Sequence, residues 1–251
     1  MPTTISRYWP AARAPRYSLT FAFPLLLLYE ILAFTLSGSE FSGVRNGADV
    51  LLKTVFIALG GRSGLVIFGA LLVGGGAWIV VQDRRKWGRV EPRVFGLMAV
   101  ESIVYALVFG LVTSTLTGLL LPGIWLAGQL THIALGSLAE SSLPTQVMIS
   151  LGAGIYEELL FRVILVSGLA WLAQRIFRWR ATPAGLFAVG VGALIFSAFH
   201  YIGPYGDRLS LGSFAFRAVA GLLFSTLYLL RGFGITAWTH ALYDVFLALG
   251  R

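Results

Sequence analysis

Six ionisable side chains lie inside long apolar segments of the C-terminal half of the chain, where a charge is costly. A charged side chain at the centre of a bilayer costs about 2.5–3.5 kcal/mol, so it needs a partner or a function. Carboxylates and imidazoles are groups that enzymes use as general acids and bases. These residues therefore predict one shared site for acid–base chemistry. They are Glu157, Glu158, Arg162, His200, His240 and Asp244.

The spacing of these residues separates two roles for the adjacent acids. Residues four apart share a helix face, so Glu158 can pair with Arg162 in the favourable acid-first order. Glu157 points about 100° away around the helix and meets a different neighbour. One acid is then neutralised, and the other is the candidate general base. His240 and Asp244 are also four residues apart, so we expect their side chains to share a face.

The elements that must position these residues are membrane helices. The chain has 251 residues, of which 57% are hydrophobic and only 12% are charged, and soluble domains carry about twice that charged fraction. A spanning helix needs roughly 20 mostly apolar residues. We predict an all-α, polytopic transmembrane bundle of about seven or eight membrane helices. The predicted spans are 18–37, 62–82, 94–120, 146–174, 184–203, 212–231 and 234–250.

Charge placement predicts the topology. Segment 48–60 is apolar but short, so we expect an interfacial or re-entrant helix there. Basic clusters at 84–93 and 175–180, together with N-terminal arginines, mark the cytoplasmic side. Seven spans satisfy this pattern if 48–60 does not cross. Segment 122–146, which is poor in Lys and Arg and holds the loop histidine His132, then lies outside.

The chain is predicted to form one membrane domain in three parts. These are a cytoplasmic N-terminal segment (1–17), N-terminal spans with the outer loop (18–145) and a catalytic core (146–250). The net charge is +8, but the basic residues cluster between apolar runs, which favours lipid headgroups over nucleic acid as a partner. The compact sequence, without organelle-targeting features, favours a bacterial inner (plasma) membrane. The chain has no cysteine, which excludes disulfides, thiol catalysis and thiolate metal ligands.

Two further acids lie alone in the early spans. Glu30 and Glu101 each interrupt an apolar segment. We expect each to face the helix bundle or a neighbouring Tyr or Ser. Neither forms part of the predicted site.

Three motifs occur in order on separate predicted spans. They are Glu157-Glu158-Leu-Leu-Phe-Arg162, Phe196-Ser-Ala-Phe-His200 and His240-Ala-Leu-Tyr-Asp244. With these motifs in this order, the chain resembles the CAAX-protease and bacteriocin-processing family (CPBP, or Abi) of intramembrane proteases, over about residues 146–250. The resemblance implies that water activated within the membrane hydrolyses a peptide bond of a membrane-anchored or C-terminal-tail protein substrate. It implies no obligatory metal.

The resemblance also implies a role for each motif residue. Glu157 would be the general base, and His240 would help to handle the water and its protons. His200 and Asp244 would contact the developing oxyanion or hold the partner groups. Arg162 would pair with the second glutamate and fix the helix.

One residue departs from the commonest family pattern. Many members have Asn where this chain has Asp244, and an ionised Asp cannot donate a hydrogen bond to an oxyanion. Either Asp244 is protonated, or it orients His240 and stabilises its charge. The four-residue spacing favours the second role.

Other functions remain open at this point. A metal-dependent version of the protease would bind Zn²⁺ through Glu157, His200, His240 and Asp244, although the chain has no His-Glu-x-x-His element. A non-proteolytic immunity or scaffold module could keep the same fold. A proton-coupled transporter would use similar residues, but transporters often show repeated halves, and no repeat is present.

The distances along the predicted spans bear on the side to which the site opens. Glu157 is 18 residues from cytoplasmic Arg175, or about 27 Å along a helix. That depth favours opening to the non-cytoplasmic side. His240 is only nine residues from Arg231, or about 14 Å, which indicates a mid-membrane depth. The two depths agree only if helices tilt or break.

Overall fold

The computed structural model describes residues 4–37, 45–122, 141–203 and 206–250, and in these ranges the chain is helical and contains no strand. His132 and most of the predicted outer loop lie outside the described residues. The elements are α1 Thr4–Arg13, α2 Pro15–Ser37, α3 Gly47–Gly69, π1 Ala70–Gly75, α4 Gly76–Trp87, α5 Pro92–Leu120, α6 Leu143–Gly152, π2 Ala153–Val166, α7 Ser167–Ile176, α8 Ala181–Phe199, α9 Leu211–Arg231 and α10 Phe233–Leu249.

Most of these helices have the length and composition of membrane spans. Among the described residues, six helical stretches are long and apolar enough to cross a bilayer, and α10 is a shorter apolar helix. The prediction of an all-α polytopic bundle is confirmed. The chain is an integral, multi-pass membrane protein. The six stretches are Pro15–Leu36, Gly47–Trp87, Pro92–Leu120, Leu143–Ile176, Ala181–Phe199 and Leu211–Arg231.

The stretch from α3 to α4 contains a sharp turn. The backbone leaves the helical region at Gly60 and at Gly61, whose φ of 56° favours glycine. The rings of Phe56 and Phe68 lie 5.1 Å apart, although twelve residues of straight helix would separate them by about 18 Å. The chain therefore folds back at the two glycines. A re-entrant or interfacial segment 48–60 would need such a turn, and its place in the membrane stays a prediction.

Two contacts gather the predicted cytoplasmic ends of the helices. Nη1 of Arg16, at the start of α2, lies 2.9 Å from Oδ2 of Asp83 in α4. Nη1 of Arg231, at the end of α9, donates to the carbonyl oxygen of Trp9 in α1 at 3.2 Å. The N-terminal helices, the basic end of α4 and the end of α9 thus lie at one end of the bundle. The positive-inside interpretation requires this grouping.

The two single acids of the early spans are paired within the bundle. Glu101 accepts hydrogen bonds from Nε and Nη2 of Arg231 at 2.5 and 2.7 Å and one from the hydroxyl of Tyr8. Burial raises the pKa of Tyr8, and its bond to Glu101 raises it further, so this hydroxyl stays protonated. Glu30 lies 3.3 Å from Nζ of Lys53. As predicted, both acids face partners in the bundle.

The short helix α10 is enclosed by the others. It packs against α2, α5, α6, α9 and π2, and Ile235, Ala237 and Ala241 on it are fully buried. Small residues on α10 allow its neighbours to approach closely. This enclosure places His240 in the interior of the protein.

Candidate active site

The first motif lies on a π-helix. Glu157, Glu158 and Arg162 belong to π2, which runs for 14 residues, whereas the sequence predicted an α-helix throughout. π-helices are rare, and short π segments occur frequently at functional sites. Despite the wider turn, Oε2 of Glu158 lies 3.2 Å from Nε of Arg162. The predicted ion pair is therefore present.

Glu158 links the first motif to the third. Its Oε1 accepts a hydrogen bond from Nδ1 of His240 at 2.6 Å, while its Oε2 faces Arg162. Glu158 and Arg162 are fully buried. The guanidinium of Arg162 also lies over the ring of Phe196, 4.3 Å from its centroid, a favourable cation–π arrangement. Each oxygen of Glu158 thus faces one partner: Oε1 is hydrogen-bonded to His240, and Oε2 forms an ion pair with Arg162 without a hydrogen bond.

Glu157 has a different environment from its neighbour. Its Oε1 accepts a hydrogen bond from Nδ2 of Asn46 at 2.8 Å. Its Oε2 is buried and has no hydrogen-bond partner in the described ranges. His200, His240 and Arg162 are its positively charged or ionisable neighbours. One oxygen is therefore fixed, and the other is left to bind a further group.

His200 ends α8 with its ring orientation fixed. Nδ1 lies 2.9 Å from the carbonyl oxygen of Phe196. A carbonyl oxygen only accepts, so Nδ1 carries the proton and Nε2 is left with a lone pair in the neutral ring. The ring of Phe196 also meets that of His200 edge-on, with centroids 4.9 Å apart. These contacts hold His200 in a form that can accept a proton.

His240 lies between two carboxyl groups. Besides the bond from Nδ1 to Glu158, its Nε2 lies 3.6 Å from Oδ2 of Asp244. Its ring stacks on Phe224 with centroids 4.3 Å apart. The predicted contact between His240 and Asp244 is thus present at ion-pair range, longer than a hydrogen bond. All six predicted residues meet in one region, since Glu157 and Glu158 are both electrostatic neighbours of Asp244.

Two residues at the site were missed by the sequence analysis. Asn46 precedes segment 48–60, which we predicted to be interfacial or re-entrant, and an uncharged residue gave no signal there. Arg217 is buried in α9 and lies 2.5 Å from Asp207. Arg217 is an electrostatic neighbour of both His200 and Asp244. A buried cation in a predicted span was the signal that could have found it.

The arrangement of possible metal ligands concerns the alternative in which the protease depends on Zn²⁺. Across the part of the chain that the structure describes, no three His, Asp or Glu side chains are arranged to hold a metal ion. No step of the mechanism below is therefore derived through a metal. The alternative set of Glu157, His200, His240 and Asp244 stays a prediction, which the chelator experiment below tests.

Comparison with known protein families gives one match. Residues 139–246 match the family model described as type II CAAX prenyl endopeptidase Rce1-like. The match covers 108 of the 251 residues, and over this region the chain is similar to the CAAX-protease family. All six predicted site residues lie within the matched range, whereas Asn46 lies outside it. Searches of curated proteins and of solved structures gave no match.

The similarity to the CAAX-protease family bears on the activity at a coarse level. It supports an intramembrane peptidase that acts on a protein or peptide substrate at the membrane. The resemblance that the three motifs indicated is confirmed. The family similarity assigns neither a role to each site residue nor a substrate class.

The position of His200 gives a testable prediction of topology. The chain has no native cysteine, so Ile202→Cys, at a position where the side chain is 70% exposed, carries one thiol beside the site. We expect a membrane-impermeant maleimide to label it from the non-cytoplasmic side. Trp87→Cys, at the basic end of α4, is the control and should be labelled from the cytoplasmic side. Labelling of both positions from the cytoplasm would contradict the outward-opening site.

Proposed function

We propose that this chain is an intramembrane endopeptidase in which Glu157 is the general base. One observation carries the proposal. One oxygen of Glu158 is hydrogen-bonded to His240 and the other forms an ion pair with Arg162. One oxygen of Glu157 is fixed by Asn46, whereas the other has neither a hydrogen bond nor an ion pair among the described residues. A general base must be held in place and must keep an oxygen available for the proton that it accepts.

The reaction follows from this division of roles. A water molecule bound at Oε2 of Glu157 gives up a proton to that oxygen while its own oxygen bonds to the carbonyl carbon of the substrate. The resulting tetrahedral intermediate carries the negative charge on the former carbonyl oxygen. Cleavage of the C–N bond then takes the proton from Glu157 to the leaving amine. The products are a carboxylic acid and an amine.

The two histidines take different parts in this proposal. The lone pair on Nε2 of His200 accepts a hydrogen bond from the water, because Nδ1 is committed to the carbonyl of Phe196. A protonated His240 donates from Nδ1 to Glu158 and offers its second N–H to the oxyanion. Asp244 balances the charge of His240 at 3.6 Å. This assignment exchanges the histidine roles that the family resemblance implied.

The description of the matched family supports one substrate class as the first to test. The matched model describes prenyl endopeptidases that act on CAAX tails, so a prenylated C-terminal tail is the first substrate to test. Membrane-anchored sorting tails and bacteriocin leaders are the other classes that the motifs allow. The catalytic core that we propose is 146–250 together with Asn46. A bacterial inner membrane is the proposed location.

The experiment uses the purified full-length chain and mass spectrometry of the products. A farnesylated CAAX peptide is compared with its unprenylated form, with a membrane-anchored tail peptide and with a bacteriocin leader peptide, each with and without 1,10-phenanthroline. We expect cleavage of at least one peptide that the chelator does not reduce. Loss of cleavage with the chelator and recovery with Zn²⁺ would favour the metal alternative. A folded protein that cleaves no peptide would favour the non-proteolytic module.

A further inference from the structure

We infer that Asn46 is a positioning residue for Glu157, and that the N-terminal helices thereby complete the active site. This inference rests on the proposed function, because it assigns Asn46 to the proposed base. The two residues are 111 positions apart, and Asn46 lies outside the range that matches the family. Four observations carry the inference.

The first observation is the contact itself. Nδ2 of Asn46 donates to Oε1 of Glu157 at 2.8 Å, and both side chains are buried. A hydrogen bond to a charged group is stronger than one between neutral groups. It fixes the torsions of the Glu157 side chain by holding one carboxylate oxygen. The second oxygen, Oε2, is then directed to one place.

The second observation is that the amide of Asn46 has only one possible orientation. Asn46 is the N-cap of α3, and its Oδ1 accepts from the backbone N–H groups of Ala48 and Asp49 at 2.9 and 3.4 Å. Backbone N–H groups only donate, so the oxygen must face the helix. The NH₂ group must therefore face Glu157.

The third observation is a rigid support around Asn46. Its backbone N–H donates to the hydroxyl of Tyr29 at 3.3 Å, and that hydroxyl donates to Asp49 at 2.7 Å. Asp49 in turn pairs with Lys53 at 2.9 Å. A Cβ on Gly152 of α6 would lie 2.5 Å from the Tyr29 ring and 2.7 Å from Cβ of Asn46. Only glycine allows this approach, which holds Asn46 beside the start of π2.

The fourth observation is the chemical contrast between the two acids. Arg162 forms an ion pair with Glu158, whereas the direct hydrogen-bond donor to Glu157 is the neutral amide of Asn46. The charge of Arg162 reaches Glu157 only beyond ion-pair range. A neutral donor orients the carboxylate and leaves its negative charge available to attract a proton. The amide of Asn46 therefore suits the role of Glu157 as a base, and the cation of Arg162 suits the structural role of Glu158.

Two variants separate positioning of Glu157 from capping of α3. Asn46→Ser keeps a good N-cap but is too short to reach Glu157. We expect its kcat to fall about tenfold to a hundredfold, as for a misplaced catalytic group, with KM nearly unchanged and the melting temperature lowered only by the loss of the bond to Glu157. Asn46→Asp keeps the size and the cap but faces Glu157 with an acceptor, so its loss of kcat should be larger. A residue that only caps α3 would leave both variants with the kcat of the wild type, and that result would overturn the inference.

A control and a second measurement separate this inference from the proposed function. Asp83→Asn removes the charge that pairs with Arg16 at the predicted cytoplasmic end of the bundle and leaves the support of Asn46 intact, so it should lower the melting temperature and leave kcat unchanged. If Glu157→Gln is inactive while both Asn46 variants keep the wild-type kcat, the inference fails and the proposed function stands. If Glu157→Gln keeps the wild-type kcat, the proposed function fails.

The contact can also be tested without a substrate. Melting temperatures of Asn46→Ser, Glu157→Ala and the double variant form a double-mutant cycle. We expect the double variant to lose less than the sum of the two single losses, because each single change already breaks the same bond. Additive losses would show that the bond does not form, and would overturn the inference even for a protein that cleaves no test peptide.

Discussion

Glu157→Gln is expected to lower kcat for peptide cleavage by about 10²–10⁴-fold, the contribution usual for a general base. The amide has nearly the same size as the carboxylate, and its oxygen can still accept the bond from Asn46. The variant therefore removes the ability to take a proton and leaves the packing of π2 almost unchanged. The measurement is kcat on a cleaved peptide, beside the melting temperature of both proteins.

The matched control for this variant is Glu30→Gln. Glu30 is also an acid in a membrane span; it pairs with Lys53 at 3.3 Å and accepts a hydrogen bond from the hydroxyl of Tyr156. Its amide keeps the acceptor for that lysine. We expect Glu30→Gln to retain the wild-type kcat. Equal losses in both variants would mean that neutralising any acid of the bundle disturbs the protein, and would remove the evidence for Glu157 as the base.

Arg162→Met is expected to destabilise the protein by about 3–5 kcal/mol, the cost of breaking a buried ion pair from one side. Met fills most of the space against Phe196 but leaves Glu158 fully buried and without its cation. The free energy of unfolding, measured in mixed detergent with increasing SDS, gives the loss directly. Since this pair also orients His240 through Glu158, activity should fall as well.

The double variant Glu158→Gln with Arg162→Met distinguishes loss of the ion pair from loss of packing. Removing both charges leaves no uncompensated carboxylate, so we expect a large part of the lost stability to return. His240 would still lack its carboxylate partner, so activity should stay low. A double variant as unstable as Arg162→Met would attribute the effect to packing against Phe196, and would contradict the ion-pair account.

The parts of the site that are local in sequence could be predicted from sequence. The length of each apolar segment predicts the position of a span: the predicted span 212–231 differs by one residue from the observed helix Leu211–Arg231. The four-residue spacing places Glu158 beside Arg162 and His240 beside Asp244. Such pairs depend only on helix geometry.

The parts that depend on tertiary contacts could not be predicted in this way. A π-helix shifts the backbone hydrogen bonds by one residue, and the side chains of π2 carry no pattern that marks this shift. Asn46 and Glu157 are 111 positions apart in the sequence, and only the packing of the helices between them brings them into contact. In the sequence Asn46 lies just before 48–60, which we predicted to be an interfacial or re-entrant helix. Nothing in the sequence therefore indicated that Asn46 is the hydrogen-bond partner of Glu157.

The most direct test of the central claim is peptide cleavage in H₂¹⁸O by the wild type and by Glu157→Gln, side by side. For the wild type we predict one ¹⁸O atom in the new carboxylate of the product, since the proposed reaction adds one water across the C–N bond. For the variant, at equal melting temperature, we predict almost no labelled product. Labelled product from Glu157→Gln at the wild-type rate would contradict the account, because water would then be activated without Glu157.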